Sequence, residues 1–343
     1  MKRKSNYNVA IMGATGAVGE EILKILEERK FPIANLRLLA SKKSAGKKTR
    51  FRGREVVIQE LKENTFEDID IVLASAGGSV SKKFAPLAVK AGAVVVDNTS
   101  AFRMDPKVPL VVPEINAKDI EKHRGIIANP NCCTIIMLVP LWPIHKAFGI
   151  QRIVVSTYQS ASGAGAKAMK ELEDQAREVL AGKPATKKVF PHQIAFNLFS
   201  HNSSVTSNGY NEEELKIIEE TRKIFHEPKM RVAPTCVRVP VFRAHSESIM
   251  LELKKQPDPA KIRALLAKSP GVKIVDDAAK NHFPMPLEAS GKDDVLVGRI
   301  RRDLSNPKAV CLFVSGDQLR KGAALNAVQI AETLVASAAK QSH

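Results

Sequence analysis

Residues 8–29 read NVAIMGATGAVGEEILKILEER, and their order decides the fold. Asn8–Met12 is a short apolar strand. Gly13, Gly16 and Gly19 follow at three-residue spacing, and in Glu20–Arg29 the apolar Ile22, Leu23, Ile25 and Leu26 fall on one helical face. Strand, glycine turn and helix in succession separate a phosphate-cradling loop from an ordinary tight turn. Glycine lets the backbone approach a pyrophosphate, and the helix N-terminus offers unpaired N–H groups and the positive end of its dipole. Gly13, Thr15, Gly16, Ala17 and Val18 are the residues this loop would bring to a dinucleotide.

Working outward, Leu36–Ala40 is the next strand. A domain specific for NAD places Asp or Glu at the end of this strand for the ribose 2′-hydroxyl. No acidic residue occurs between Arg29 and Arg54; the strand runs instead into Ser41-Lys42-Lys43-Ser44. Cations and hydroxyls suit a 2′-phosphate, so Ser41, Lys42 and Ser44 point to NADP, against the alternative of a flexible basic loop. Ile69–Ala74 is a third strand, with Ser75 and Gly77 small enough to pass near a cofactor. Ser81–Ala91 reads as helix, and Val94–Asp97 and Gly125–Ala128 as strands. The alternation predicts an α/β fold with a parallel, doubly wound sheet.

The middle of the chain carries nucleophile chemistry. Asn131 is placed to cap a helix whose apolar run is Ile135–Leu141, so Cys132 falls in its first turn. A helix N-terminus favours thiolate, whereas a structural cysteine is normally buried and inert. A thiol beside a nicotinamide domain is the equipment of aldehyde–thioester redox chemistry. Ile153–Gly165 reads as a strand ending in a polar, glycine-rich turn, before a helix over Lys167–Leu180. The period-two pattern of Cys236–Glu247 puts Arg238 on a strand with His245 at its far end. Glu213 and Lys216 share a helix face, which alone is an exposed ion pair.

Composition bounds the rest. The 343 residues are 44% hydrophobic and 26% charged, ordinary for a globular protein of about two domains. The apolar run near Ile135–Trp142 is far short of the roughly 20 residues of a membrane span. The basic start MKRKSNYNVAIMG runs straight into the glycine loop, unlike a signal peptide. Lys and Arg exceed Asp and Glu by 53 − 36 = +17, but with 1 Trp and 3 Tyr no stacking platform for bases is evident, and no nucleic-acid role is expected. Cys132, Cys133, Cys236 and Cys311 form no CxxC; they suggest neither a disulfide framework nor a metal site, and a reducing, cytoplasmic setting.

Together these segments resemble the aspartate-β-semialdehyde dehydrogenase family. The resemblance rests on GATGAVGE at 13–20, LASKKSAGK at 39–47, DNTSAFR at 97–103, NPNC at 129–132, TYQSASGAG at 157–165, CVRVPV at 236–241, AHSES at 244–248 and RKGAALNAVQIAE at 320–332, in family order. It implies NADPH-dependent conversion of aspartyl phosphate to aspartate semialdehyde and phosphate. Cys132 is then the nucleophile, His245 the general acid and base, and Gln159 the group that positions the acyl moiety and His245. Arg238 would hold the substrate carboxylate, Glu213 its ammonium, and Arg103, Asn131 and Lys216 the phosphate. Ser162, Gly163 and Asn326 would join the cofactor contacts. The implied architecture is a Rossmann-type NADP domain over 1–130 with 321–343, closed by a helix near Gly322–Ala339. An α+β catalytic and dimerisation domain with a mixed sheet would span 131–320, with Gly182–Pro191 a surface loop. The family forms homodimers or homotetramers. One departure is Cys133, where the family often has Ser. The rival readings are N-acetyl-γ-glutamyl-phosphate reductase, whose nucleophile follows Pro-Gly rather than Pro-Asn, a malonyl-CoA reductase-like relative, and a non-catalytic NADP-binding homologue.

Overall fold

The computed structural model describes residues 3–340; residues 1–2 and 341–343, which the expected nucleotide domain includes, lie outside the described residues. The chain divides into two compact units. Asn131 closes the first, which resumes at Ala323, and Cys132–Gly322 is the second.

The first unit runs β1 (Tyr7–Met12), α1 (Ala17–Glu28), β2 (Ile33–Ala40), β3 (Lys48–Phe51), β4 (Arg54–Glu60), β5 (Ile71–Ala74), α2 (Gly78–Lys90), β6 (Val94–Asp97), the short α3 (Pro113–Asn116) and β7 (Ile126–Ala128). Its sheet has the order β3-β4-β2-β1-β5-β6-β7, parallel throughout except for the antiparallel edge strand β3. Alternation makes it two-sided. Val9, Ile11, Ile71 and Leu73 face one core with Ile22, Ile25 and Leu26 of α1, and Ala10, Met12, Val72 and Ala74 face the other with Ala85 and Ala88 of α2. Both faces are covered, so the strands read as continuous apolar runs.

In the second unit α4 (Cys132–Phe148) is followed by β8 (Ile150–Gln159), α5 (Ala166–Leu180), β9 (Phe199–Ser200), α6 (Glu212–Phe225), β10 (Arg231–Arg238) and β11 (His245–Leu253). Then come α7 (Pro259–Leu266), β12 (Val272–Ile274), α8 (Pro286–Ala289), β13 (Val295–Arg302) and β14 (Ala309–Gly316). The sheet order is β12-β13-β14-β11-β8-β10-β9, with β8 parallel to β10 and antiparallel to β11. The returning α9 (Leu325–Lys340) belongs to the first unit, where Ala327, Val328, Ile330 and Ala331 join the α1 core. Arg29, the residue that caps α1, grips Glu332 of α9 through Nε–Oε1 at 2.7 Å and Nη2–Oε2 at 2.8 Å.

Three expectations need correction. The helix around Ile135–Leu141 is longer, running from Cys132 to Phe148 through Pro140 and Pro143, and is buried on nearly every side. Apolar contact all round holds it where proline removes backbone hydrogen bonds. His245 does not end the strand of Arg238; that strand stops at Arg238 and His245 opens the next. The intervening loop holds Pro240, and Ala244 adopts a left-handed φ of 70°. The loop carbonyls of Val241 and Phe242 accept from the N–H groups of Ala161 and Ser162 at 2.8 and 3.0 Å. Gly182–Pro191 is not wholly surface, since Phe190 is buried with Ala161, Ala168, Leu172 and Ile194. The Glu171 carboxylate draws the segment inward by accepting from the N–H groups of Lys188, Val189 and Phe190.

Candidate active site

Register brings the second unit's chemistry together. Gln159, the last residue of β8, pairs with Arg238, the last of β10, while Tyr158 pairs with Ser246, beside His245 on β11. Three strand ends thus converge. The loop before His245 is fixed from behind. Ala244 N–H donates to Gln318 Oε1 at 2.8 Å, and Arg243 Nε to the buried Asp317 at 2.7 Å. The Asn211 capping box sets the start of α6, and Glu214 accepts from Cys236 N–H of β10 at 3.0 Å, which fixes Glu213 beside that strand.

Cys132 is half-buried at the first residue of α4, and its sulfur, the Cys133 sulfur and a His245 ring nitrogen all lie within 4.8 Å of one another. The neighbouring Cys133 thiol is the main cause holding Cys132 well below the usual thiol range. His245 pulls the same way; burial and the Glu213 carboxylate oppose it. Burial first, and then the bond to Cys132, push Cys133 well above that range. Both shifts favour ionisation at Cys132 over Cys133.

His245 is buried. Its Nδ1 accepts from Ser160 N–H at 3.0 Å and lies 3.0 Å from Ser160 Oγ, whereas Nε2 has no hydrogen-bond partner. A nitrogen that receives a backbone N–H is an acceptor, so the ring proton sits on Nε2. Ser160 thus holds the ring, while the Gln159 amide donates to Cys133 Sγ at 2.9 Å. Gly163 abuts both ends of the site: a Cβ there would come within 3.0 Å of His245 Cε1 and 3.1 Å of Arg238 Nη1.

Arg238 is buried, with Nε 3.3 Å from Asn202 Oδ1 and its guanidinium 5.8 Å from the Phe190 ring centre. Burial lowers its pKa, and Glu213 offsets part of that. Glu213 is buried and paired with the half-exposed Lys216 at 3.1 Å. The structure therefore gathers Cys132, Gln159, Glu213, Lys216, Arg238 and His245, together with Gly163. Ser162, expected among the cofactor contacts, also lies in this unit, 3.0 Å from Ser160 Oγ.

Several residues here escaped the sequence reading. Burial, followed by Arg238, pulls His201 down to about 4, so it is neutral beside that guanidinium. Glu247, two residues beyond His245 on β11, is fully buried with neither oxygen hydrogen-bonded, and burial pushes it well above the carboxylate range. Asn202 and His201 sit in a polar loop with no motif to mark them. Ser160, Gln318 and Glu247 stood inside or next to quoted motifs, but contact alone reveals what they hold.

The first unit holds a different kind of site. Gly13 has a φ of 92°, and a Cβ on it would lie 2.4 Å from the Ser75 carbonyl oxygen at the end of β5. A Cβ on Gly19 would lie 2.2 Å from the Gly13 oxygen. The loop is thus compressed against its neighbours by backbone alone, as a pyrophosphate cradle requires. Gly16 precedes α1 with no side chain capping it, which leaves the first helical N–H groups of Ala17 and Val18 to a ligand. Thr15 lies between the glycines, and Ser75 and Gly77 follow β5. Ser41, Lys42 and Ser44 follow β2 as expected, and among the described residues neither Lys42 nor Lys43 is paired with a carboxylate. These residues fit an NADP whose 2′-phosphate meets cations and hydroxyls. Arg103 donates to the carbonyls of Asn129 at 2.9 Å and Asn98 at 2.8 Å. Asn326, expected near the nicotinamide, is buried and donates to Val111 O at 3.0 Å and Asn129 Oδ1 at 2.6 Å. Asn131 is the last residue of this unit.

Comparison with known proteins gives a consistent result. Residues 8–123 match the family model for the semialdehyde dehydrogenase NAD binding domain, and residues 141–321 that for the semialdehyde dehydrogenase dimerisation domain. An aspartate-semialdehyde dehydrogenase of a Synechocystis strain is 58% identical over 332 residues, 96% of this chain and 98% of the relative. The crystal structure of aspartate semialdehyde dehydrogenase II from Vibrio cholerae complexed with ASA superposes with a TM-score of 0.94 at 49% identity, covering 97% of this chain and 99% of that one. The Candida albicans enzyme, solved with NADP, has a TM-score of 0.73 at 25% identity, covering 96% and 98%.

Proposed function

Because the chain belongs to the aspartate-semialdehyde dehydrogenase family, we propose that it is an NADP-dependent phosphorylating aldehyde dehydrogenase. It converts L-aspartyl 4-phosphate, NADPH and a proton to L-aspartate 4-semialdehyde, NADP and phosphate, reversibly. That step serves the biosynthesis of lysine, threonine, methionine and isoleucine. The observation that carries this reading is the place of Cys132 at the start of α4, its sulfur within 4.8 Å of Cys133 and His245, with its pKa held below the usual thiol range.

The Cys132 sulfur attacks the acyl carbon; the C–S bond forms as the C–O bond to phosphate breaks, leaving a thioester, and the departing phosphate keeps that electron pair and takes up the proton that the overall reaction consumes. NADPH, when bound, supplies the hydride that reduces it. His245 gives the Nε2 proton to the oxyanion and takes it back when the C–S bond breaks and the aldehyde leaves. Arg238 is the bidentate partner of the substrate α-carboxylate, and Glu213 receives the ammonium. Gln159 orients the acyl group. Lys216, Arg103 and Asn131 are the residues the family resemblance assigns to the phosphate. Gly13, Thr15, Gly16, Ala17 and Val18 take the pyrophosphate, and Ser41, Lys42 and Ser44 the 2′-phosphate. Ser75, Gly77, Ser162, Gly163 and Asn326 complete the cofactor contacts. The second unit is the catalytic and dimerisation domain of a homodimer or homotetramer. The four cysteines are free, and the protein's place is proposed to be the cytoplasm. Among the described residues no helix is long and apolar enough to cross a membrane.

Glu213 speaks against an N-acetylated substrate, which has no ammonium to receive. The test is phosphate-dependent reduction of NADP with aspartate, N-acetylglutamate and malonate semialdehydes in parallel. Activity on the first alone, lost in Cys132→Ala, is expected. Activity on either of the others would move the substrate assignment, and NADP binding without any turnover would favour a non-catalytic homologue.

A further inference from the structure

We propose that Cys133 is a positioning residue of this site: its thiol, oriented by Gln159, donates a hydrogen bond to the Cys132 sulfur and steadies the nucleophile. The inference rests on the reading of Cys132 as nucleophile. Its geometry is independent of substrate. Cys133 is fully buried in the first turn of α4, with its sulfur within 4.8 Å of the Cys132 sulfur. The Gln159 Nε2, which can only donate, points at Cys133 Sγ from 2.9 Å. That contact uses the sulfur as an acceptor, and the Cys132 sulfur, within 4.8 Å, is placed to receive the S–H. Two neighbouring sulfurs cannot both be anionic in a buried site, because like charges at this range exclude one another. Burial decides which keeps the proton. Cys133 has no exposure to water, whereas half-buried Cys132 has the helix N-terminus and partial hydration.

The role asks only for a small side chain that donates one hydrogen bond. Serine meets that requirement. Alanine does not, and valine fills the space of the thiol without a donor. The two effects of substitution, lost volume and lost donor, are therefore separable.

The experiment uses the full chain and its Cys133→Ser, Cys133→Ala and Cys133→Val variants. The rate of iodoacetamide alkylation at Cys132, located by peptide mass, is followed against pH, and the acid limb of kcat/KM is measured alongside. A rise of one unit in the Cys132 pKa leaves about a tenth of the thiolate below that pKa. The Ala and Val variants should accordingly alkylate about tenfold or more slowly at pH 6 and converge with the unsubstituted protein in alkaline solution. Their kcat/KM acid limbs should move up by the same amount. The Ser variant should keep both limbs near their original place. The inference is overturned if Ala and Val track the unsubstituted protein, or if Ser shifts as far as they do. Failure of the functional reading would look different: the unsubstituted protein would not turn over aspartate semialdehyde, whatever the alkylation profiles.

Discussion

The two units make their sites from different materials. In the first, the cradle is backbone: Gly13 and Gly19 press against carbonyl oxygens at distances no Cβ could share, and the donors on offer are helical N–H groups. In the second, the site is side chains drawn from α4, β8, α6, β10 and β11, each fixed by a neighbour. Ser160 holds His245, Gln159 meets Cys133, and Lys216 pairs with Glu213. A backbone site tolerates side-chain change but not an added methyl. A side-chain site tolerates backbone company but not the loss of one functional group.

Substitutions can break that contrast. The largest effect should fall on the second unit. Arg238→Lys keeps the charge but loses the planar fork, and at about 1.5–3 kcal/mol for hydrogen bonds to a charged partner, kcat/KM for aspartate semialdehyde should fall about a hundredfold. Steady-state kinetics would show it mainly in KM. Next comes Gly13→Ala, which puts a methyl against the Ser75 carbonyl at a left-handed φ. Strain of about 1–3 kcal/mol should lower the melting temperature and weaken NADP binding about tenfold in a fluorescence titration. Smallest is Lys42→Ala in the same unit. An exposed cation is worth about 0.2–1 kcal/mol, so the KM for NADP should rise about twofold to fivefold, with little change for NAD. A large effect at Lys42 together with a silent Gly13→Ala would mean that side chains, not backbone, make the cradle.

The same contrast explains what the sequence discloses. The cradle is legible because its parts are consecutive: strand, glycine turn and helix occupy residues 7–28, and spacing alone describes them. The second site is scattered from Cys132 to His245, and no periodicity connects Glu213 to Gln159. Only the family resemblance connects those residues in the sequence; in the molecule the register of β8 with β10 and β11 aligns Gln159, Arg238 and His245, and the bond from Cys236 N–H to Glu214 sets α6 against β10. His245 shows the limit most clearly. Alternation around Arg238 suggested one strand, but Pro240 and the left-handed Ala244 break it, and the histidine arrives on an antiparallel neighbour. His201 and Glu247 escaped because their burial, not their neighbours in sequence, sets their protonation.

The central claim is covalent catalysis at Cys132, and the most direct measurement withholds phosphate. With aspartate semialdehyde and NADP alone, thioester formation should release NADPH in a burst approaching one equivalent per site and then stop. Acid quench and peptide mass analysis should find the aspartyl group on Cys132, and added phosphate should discharge it. An aspartyl group on Cys133, or steady NADPH production with no adduct and no need of phosphate, would contradict the account.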